Sequence, residues 1–151
     1  MDWEQVPRFG EPPTGAPARV RPSVYALVAD GDGRLLVVRT PRGLFLPGGG
    51  LEAGEAAHDA VSREVREECG LEVRIGRWSL RAVDFVYSAA EDAHFEKRST
   101  FLEAHPVRTD ASPSEPDHEA IWMGAQDAEG RMAHPSHRWA VARWRQRGPR
   151  A

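Results

Sequence analysis

Residues 49–71 read GGLEAGEAAHDAVSREVREECGL. From Glu55 to Cys69 the stretch holds neither Gly nor Pro, and it closes on Gly70, so it predicts a helix stopped by glycine. Val61, Val65 and Cys69 recur every four residues and draw one apolar stripe along that helix. At 3.6 residues per turn, Glu64, Glu67 and Glu68 fall within roughly 100° of one another on the helix wheel. Like charges this close repel on an isolated helix, and a divalent cation is the simplest compensation. Clustered carboxylate oxygens suit hard ions such as Mg²⁺ or Mn²⁺, and no Cys/His constellation competes for zinc. Just ahead, Gly48, Gly49 and Gly50 let backbone approach a ligand and turn carbonyl oxygens toward a metal. The helix that follows can present its first N–H groups to an anion. Glycine loop, acidic helix and hard metal together describe a site for phosphoryl chemistry.

Working outward, Ser23–Ala29 and Arg34–Arg39 are β-rich runs around Asp30-Gly31-Asp32-Gly33, which predicts a hairpin. Leu44-Phe45-Leu46 is a short strand ended by Pro47. Residues 1–20 carry Pro7, Pro12, Pro13 and Pro17 with Gly10 and Gly15, a stretch poor at both helix and sheet pairing that reads as an extended arm. Beyond Leu71, β-like runs cover Leu71–Trp78, Arg81–Ser88 and Arg98–Ala104. A Pro- and Ser-rich loop follows over His105–Pro116, then the short segment Glu119–Met123. A closing helix is expected over Ser136–Arg147, with Trp139, Ala140, Val141 and Trp144 available for packing. Strands dominate and two helices pack against them, so the expectation is a mixed α/β layered domain over residues 21–148.

The chain has 151 residues and a net charge of −3 from 20 basic and 23 acidic side chains. That near-balance argues against a bulk electrostatic grip on long nucleic acid, while leaving room for a small phosphorylated ligand. The single cysteine, Cys69, cannot build a disulfide framework. No run approaches the ~20 apolar residues of a membrane span. The acidic first residues lack the order of a signal peptide, so the expected location is cytoplasmic.

The pattern Gly49, five residues, Glu55, seven residues, then Arg63-Glu64-Val65-Arg66-Glu67-Glu68-Cys69-Gly70-Leu71 resembles the complete Nudix box, with no departure inside it. The resemblance implies an α/β/α sandwich with a mixed sheet. It also implies hydrolysis of a pyrophosphate bond in a nucleoside diphosphate derivative, by water attack on phosphorus with Mg²⁺ (or Mn²⁺) as cofactor. Carried over position by position, Glu64, Glu67 and Glu68 look like the metal ligands, with the Gly48 carbonyl as a fourth, and Glu67 and Glu68 as catalytic. Glu55 and Arg63 look like the salt bridge that holds loop to helix, and Val65 and Leu71 anchor the motif in the core.

Outside the box, many family members use a further carboxylate as ligand or general base. Glu119, three residues before Trp122, is similar to such a pattern, with Glu115, Glu103 and Glu96 as rivals. Tyr87 lies sixteen residues beyond Leu71, resembling family members that act on dinucleoside polyphosphates, whereas the NADH-type downstream signature is missing. Arg39, Arg42 and Arg98 are candidate phosphate contacts. The histidines are scattered without metal-ligand spacing, and His134-Pro135-Ser136-His137 reads as the opening of the last helix. Arg138, Arg143, Arg145 and Arg147 read as its solvated basic face. The expected partner is a small nucleotide, acted on by a monomer or homodimer. A non-catalytic nucleotide sensor is the alternative, but its expected signature, loss of a box carboxylate, is not found. A partner-binding role through the proline-rich arm and the last helix's tryptophans is compatible with either.

Overall fold

A computed structural model describes residues 2–109 and 117–147. The elements run β1 (Arg8–Phe9), β2 (Arg19–Val28), β3 (Arg34–Thr40), β4 (Gly43–Phe45), β5 (Gly48–Gly50), α1 (Ala57–Cys69), β6 (Leu71–Ser88), β7 (Ala93–Thr109), β8 (Glu119–Gly124), α2 (Ala125–Arg131) and α3 (Pro135–Gln146). A five-stranded mixed sheet has the order β1-β6-β7-β2-β5, and a three-stranded antiparallel sheet has the order β4-β3-β8. The expected mixed α/β architecture is present. Among the described residues, no helix is long and apolar enough to cross a membrane.

Strand β2 explains the layering. Val24, Ala26 and Val28 pack with Ala60, Val61 and Val65 of α1, while Tyr25 and Leu27 pack with Ala140 and Val141 of α3. Side chains alternate across a strand, so a strand buried on both faces becomes an unbroken apolar run. Strand β3 repeats the division, with Leu35 and Val37 on the α3 side and Leu36 on the α1 side.

Four expectations change in detail. The turn at residues 30–33 forms, with Asp30 accepting from the Asp32 and Arg34 backbone N–H groups. Yet β2 and β3 share only the bridge Ala29↔Leu35 before parting into different sheets. β2 instead pairs in parallel with β7 along its whole length, because only a central position buries both its faces. The two runs at 71–78 and 81–88 are one strand, and the break between them is a register shift between Ile75 and Ser79. The strand Arg98–Ala104 extends through Thr109, so the first part of the loop read over His105–Pro116 is strand, and residues 110–116 lie outside the described residues. A third helix, α2, was not anticipated.

Within residues 1–20, Arg8–Phe9 pair in parallel with Val83–Asp84 of β6. The pairing is at the sheet edge, where flanking prolines are tolerated. Trp139 and Trp144 of α3 pack against the core rather than standing free. Arg147 is not solvated: it pairs with Glu103 and lies over the rings of Trp78 and Trp144.

Candidate active site

The site is built where α1 meets β5. Helix α1 starts without a side-chain cap at Ala56 and ends at Gly70, whose φ of 66° is the left-handed stop that glycine adopts without penalty. Val61 and Val65 are fully buried and fix the helix's rotation, which turns the carboxylates toward β5. Gly48 allows the close approach. At its φ of +151°, a Cβ would overlap the Val24 carbonyl oxygen and stand 2.6 Å from Tyr25 Cδ1. The Gly48 N–H donates to Glu68 Oε1 at 2.8 Å, joining loop to helix. A Cβ on Gly49 would stand 3.0 Å from Glu64 Oε1. That space beside the carboxylate exists because the residue has none.

Arg63 organises the acids. Its Nε and Nη2 donate to the two oxygens of Glu55 at 2.8 and 3.0 Å, a bidentate fork. Its Nη1 also donates to Glu64 Oε1 at 3.1 Å and Glu67 Oε2 at 3.2 Å. The Arg63 hydrogen bonds hold the Glu55 carboxyl below its ordinary range. Glu68 is buried and lies 3.3 Å from His118 Nε2. Burial, and after it the nearby Glu68 charge, pushes the Cys69 thiol up to about 12 and Tyr25 above its usual value.

Among the described residues, no three acidic, histidine or cysteine side chains converge as they stand on one metal position. Arg63 draws Glu64 and Glu67 together from one side, and Glu68 is held by Gly48 and His118. The donor chemistry fits a hard divalent cation: carboxylate oxygens on one helix face, with the cradle opened by Gly49 beside Glu64.

These residues border a cleft of about 890 Å³, lined by Gly48, Gly49, Gly50 and Glu68 and, beyond them, by Arg21, Arg42, Lys97 and His134. Arg42 and Tyr87 are therefore in the cleft. Tyr87 is exposed at its rim, and its hydroxyl donates to Asp92 Oδ1 at 2.6 Å. Arg39 and Glu119 are not. They face each other across β3 and β8 as an ion pair of 3.4 Å and line a shallow hollow that adjoins the cleft at Thr40, Pro41, Asp117 and His118. Register is the physical reason, since opposite residues on neighbouring strands project together. Arg98 is engaged with Glu96 at 2.6 Å, away from the cleft lining. Glu103 is paired with Arg147, and Glu115 lies outside the described residues. Sequence reasoning missed His118 and Lys97, and it read His134 only as the opening of the last helix, where it stands as N-cap while also lining the cleft. Only the position of His118 directly before Glu119 offered a hint.

The sequence model of the NUDIX domain family matches residues 19–144. The NAD-capped RNA hydrolase NudC of Pseudomonas aeruginosa (strain LESB58) is 48% identical over 61 residues, 36% of this chain and 21% of that protein. The chain thus spans about a fifth of the length of the curated relatives it matches. In structure it is similar to the MutT protein of Methanosarcina mazei Go1, with a TM-score of 0.66 and 21% identity over 90% of this chain and 100% of that one. It is also similar to the MutT NUDIX hydrolase of Burkholderia pseudomallei, with a TM-score of 0.58 and 25% identity over 82% and 97% of the two chains. Box, fold and family model agree: the chain belongs to the NUDIX domain family.

Proposed function

We propose that the enzyme hydrolyses a pyrophosphate bond in a nucleoside diphosphate derivative, a nucleoside triphosphate or related nucleotide, with Mg²⁺ or Mn²⁺. The observation that carries this reading is the set Glu64, Glu67 and Glu68 on one face of α1, against the glycine strand Gly48–Gly50 that borders the cleft. These carboxylates and the Gly48 carbonyl would hold the metal. Bound there, it supplies charge neutralisation on the diphosphate and a lowered pKa for the attacking water. Water adds to one phosphorus, the bridging P–O bond breaks, and the leaving phosphate departs with the electron pair. Of the three box carboxylates, Glu67 is the most exposed, at 35% against 14% for Glu64 and 8% for Glu68. Its carboxylate would accept the proton of the attacking water. Arg63, held by Glu55, keeps Glu64 and Glu67 oriented. Glu119, tied to Arg39, is the weaker candidate for a base.

The presence of every box carboxylate argues for hydrolysis over sensing. The Tyr87 position in the cleft keeps dinucleoside polyphosphates as the second substrate class. The NudC likeness covers too little of either chain to favour NAD-capped RNA. The test is a product-resolved screen with Mg²⁺ or Mn²⁺ against nucleoside triphosphates, dinucleoside polyphosphates, nucleotide sugars, ADP-ribose and NAD⁺. Glu67→Gln and Glu68→Gln are expected to cut turnover by about two orders of magnitude or more with the fold retained. Unchanged turnover in both would sink the ligand assignment, and hydrolysis of nothing by the wild type would favour the sensor.

A further inference from the structure

The cleft continues past the carboxylate helix to side chains that the hydrolytic step does not use. Lys97 projects from β7 with Nζ 3.4 Å from His134 Nε2 and 4.9 Å above the centroid of the Tyr25 ring. Among the described residues, it makes no ion pair with a carboxylate. Asp84, whose charge it feels, is committed elsewhere: the backbone N–H and hydroxyl of Ser136 both donate to it. Burial, with Lys97, Arg42 and Arg138 nearby, pushes the His134 ring down to about 4, so it is neutral at neutral pH. An ammonium only donates, so His134 Nε2 is the acceptor of this contact and its proton sits on Nδ1. One Lys97 N–H is spent on His134, and the side chain lines the cleft.

The surroundings say what sort of ligand would meet them. Tyr25, Phe45, Leu46, Val38 and Ala133 line the cleft together with Lys97 and His134, and the Phe45 and His134 ring centroids are 5.2 Å apart. Such walls suit a planar ring and are a poor seat for a hydrated, multiply charged phosphate. Phosphates have better-solvated cations in the same cleft, the exposed Arg21 and Arg42.

We infer that this end of the cleft holds the base of the nucleotide, and that Lys97 is its specificity-determining residue, donating to the 6-oxo oxygen of a guanine- or hypoxanthine-type purine. A 6-amino group would point its own N–H bonds at the ammonium, with no acceptor left on His134 to receive them. The contact therefore discriminates by leaving a donor facing a donor, which costs more than a merely missing contact. The inference rests on the proposed nucleotide hydrolysis for its ligand class.

Inosine and adenosine nucleotides test it, because they differ at that edge of the ring. For the triphosphates, wild-type kcat/KM is expected to favour inosine over adenosine by tenfold or more. Lys97→Met should lower the inosine value at least tenfold and change the adenosine value less than threefold. Lys97→Gln, which offers a carbonyl acceptor as well as donors, should narrow the ratio by raising the adenosine value. Calorimetric binding of the two 5′-monophosphates to wild type and to both variants, each checked by circular dichroism, gives the same comparison without turnover. If no triphosphate is hydrolysed, the catalytic reading fails while the binding comparison still decides the role of Lys97. A wild type without base preference overturns the inference, as does an equal loss for both bases in Lys97→Met.

Discussion

Gly48 and Gly33 both hold positive φ, +151° and +78°, but only Gly48 is crowded. Replacing Gly33 by alanine introduces backbone strain and meets no atom within 4 Å, so a loss of about 1 kcal/mol is expected. Gly48→Ala adds overlap with the Val24 carbonyl and the Tyr25 ring, and a loss of about 3 kcal/mol is expected from strain plus overpacking. Urea unfolding of both variants measures the difference, and equal losses would contradict the close approach at position 48. Residue identities at this scale were open to sequence reading wherever chemistry follows from spacing. Glu64, Glu67 and Glu68 share a helix face because of the helical period. That Glu68 would be buried, and bonded to the Gly48 N–H, depends on the docking of β5 and has no local signal.

Helix α1 is the element that carries the site, and its hold on the sheet comes from Ala60, Val61 and Val65 against β2. Val65→Ala removes two buried methyl groups and is expected to cost about 2 kcal/mol. Because the same contact sets the helix's rotation, kcat should fall at temperatures where the variant is still fully folded. Thermal unfolding followed beside turnover checks this, and a variant losing stability with kcat intact would separate the two roles. The helix was legible because its period, its glycine stop and its lack of breakers agree. The β2–β3 hairpin misled because its turn chemistry is genuine. The Asp30 turn forms, but tertiary burial of both faces of β2 outweighs local pairing with β3. Sequence likewise placed Arg39 and Glu119 in the site, whereas cross-strand register pairs them with each other.

Across the whole molecule, the interior behind the cleft couples stability to pH. His137 is fully buried, accepts from the Leu46 N–H at Nδ1, and is held well below its ordinary pKa by burial and by His134. His134 is lowered to about 4. As pH falls below about 6.5, the unfolded chain takes up protons on both rings while the folded protein does not, so stability falls. The unfolding midpoint is therefore expected to decline between about pH 6.5 and 4, with a shallower decline in His134→Phe; an identical pH profile in that variant would remove the ring from the account. The place of His134 and His137 at the opening of α3 was legible, but their burial against Tyr25 and Phe45 has no local signal, since it depends on how α3 docks on the sheet. The layered architecture was legible, since the apolar runs of β2 and β3 can be satisfied only between two covering layers.

The parallel pairing of β2 with β7 sets Val28 beside Ala104, partners 76 positions apart in the chain. The β6–β7 hairpin closes through a short turn and needs no such span. Loop-closure entropy therefore orders the folding reaction, with the hairpin assembling early and the central ladder late. Gly48 of β5 joins the sheet only through β2, so the glycine strand is expected to settle into the sheet together with the central ladder. Substitutions in β2 and β5 should then accelerate unfolding more than they slow folding, whereas those in the β6–β7 hairpin should slow folding.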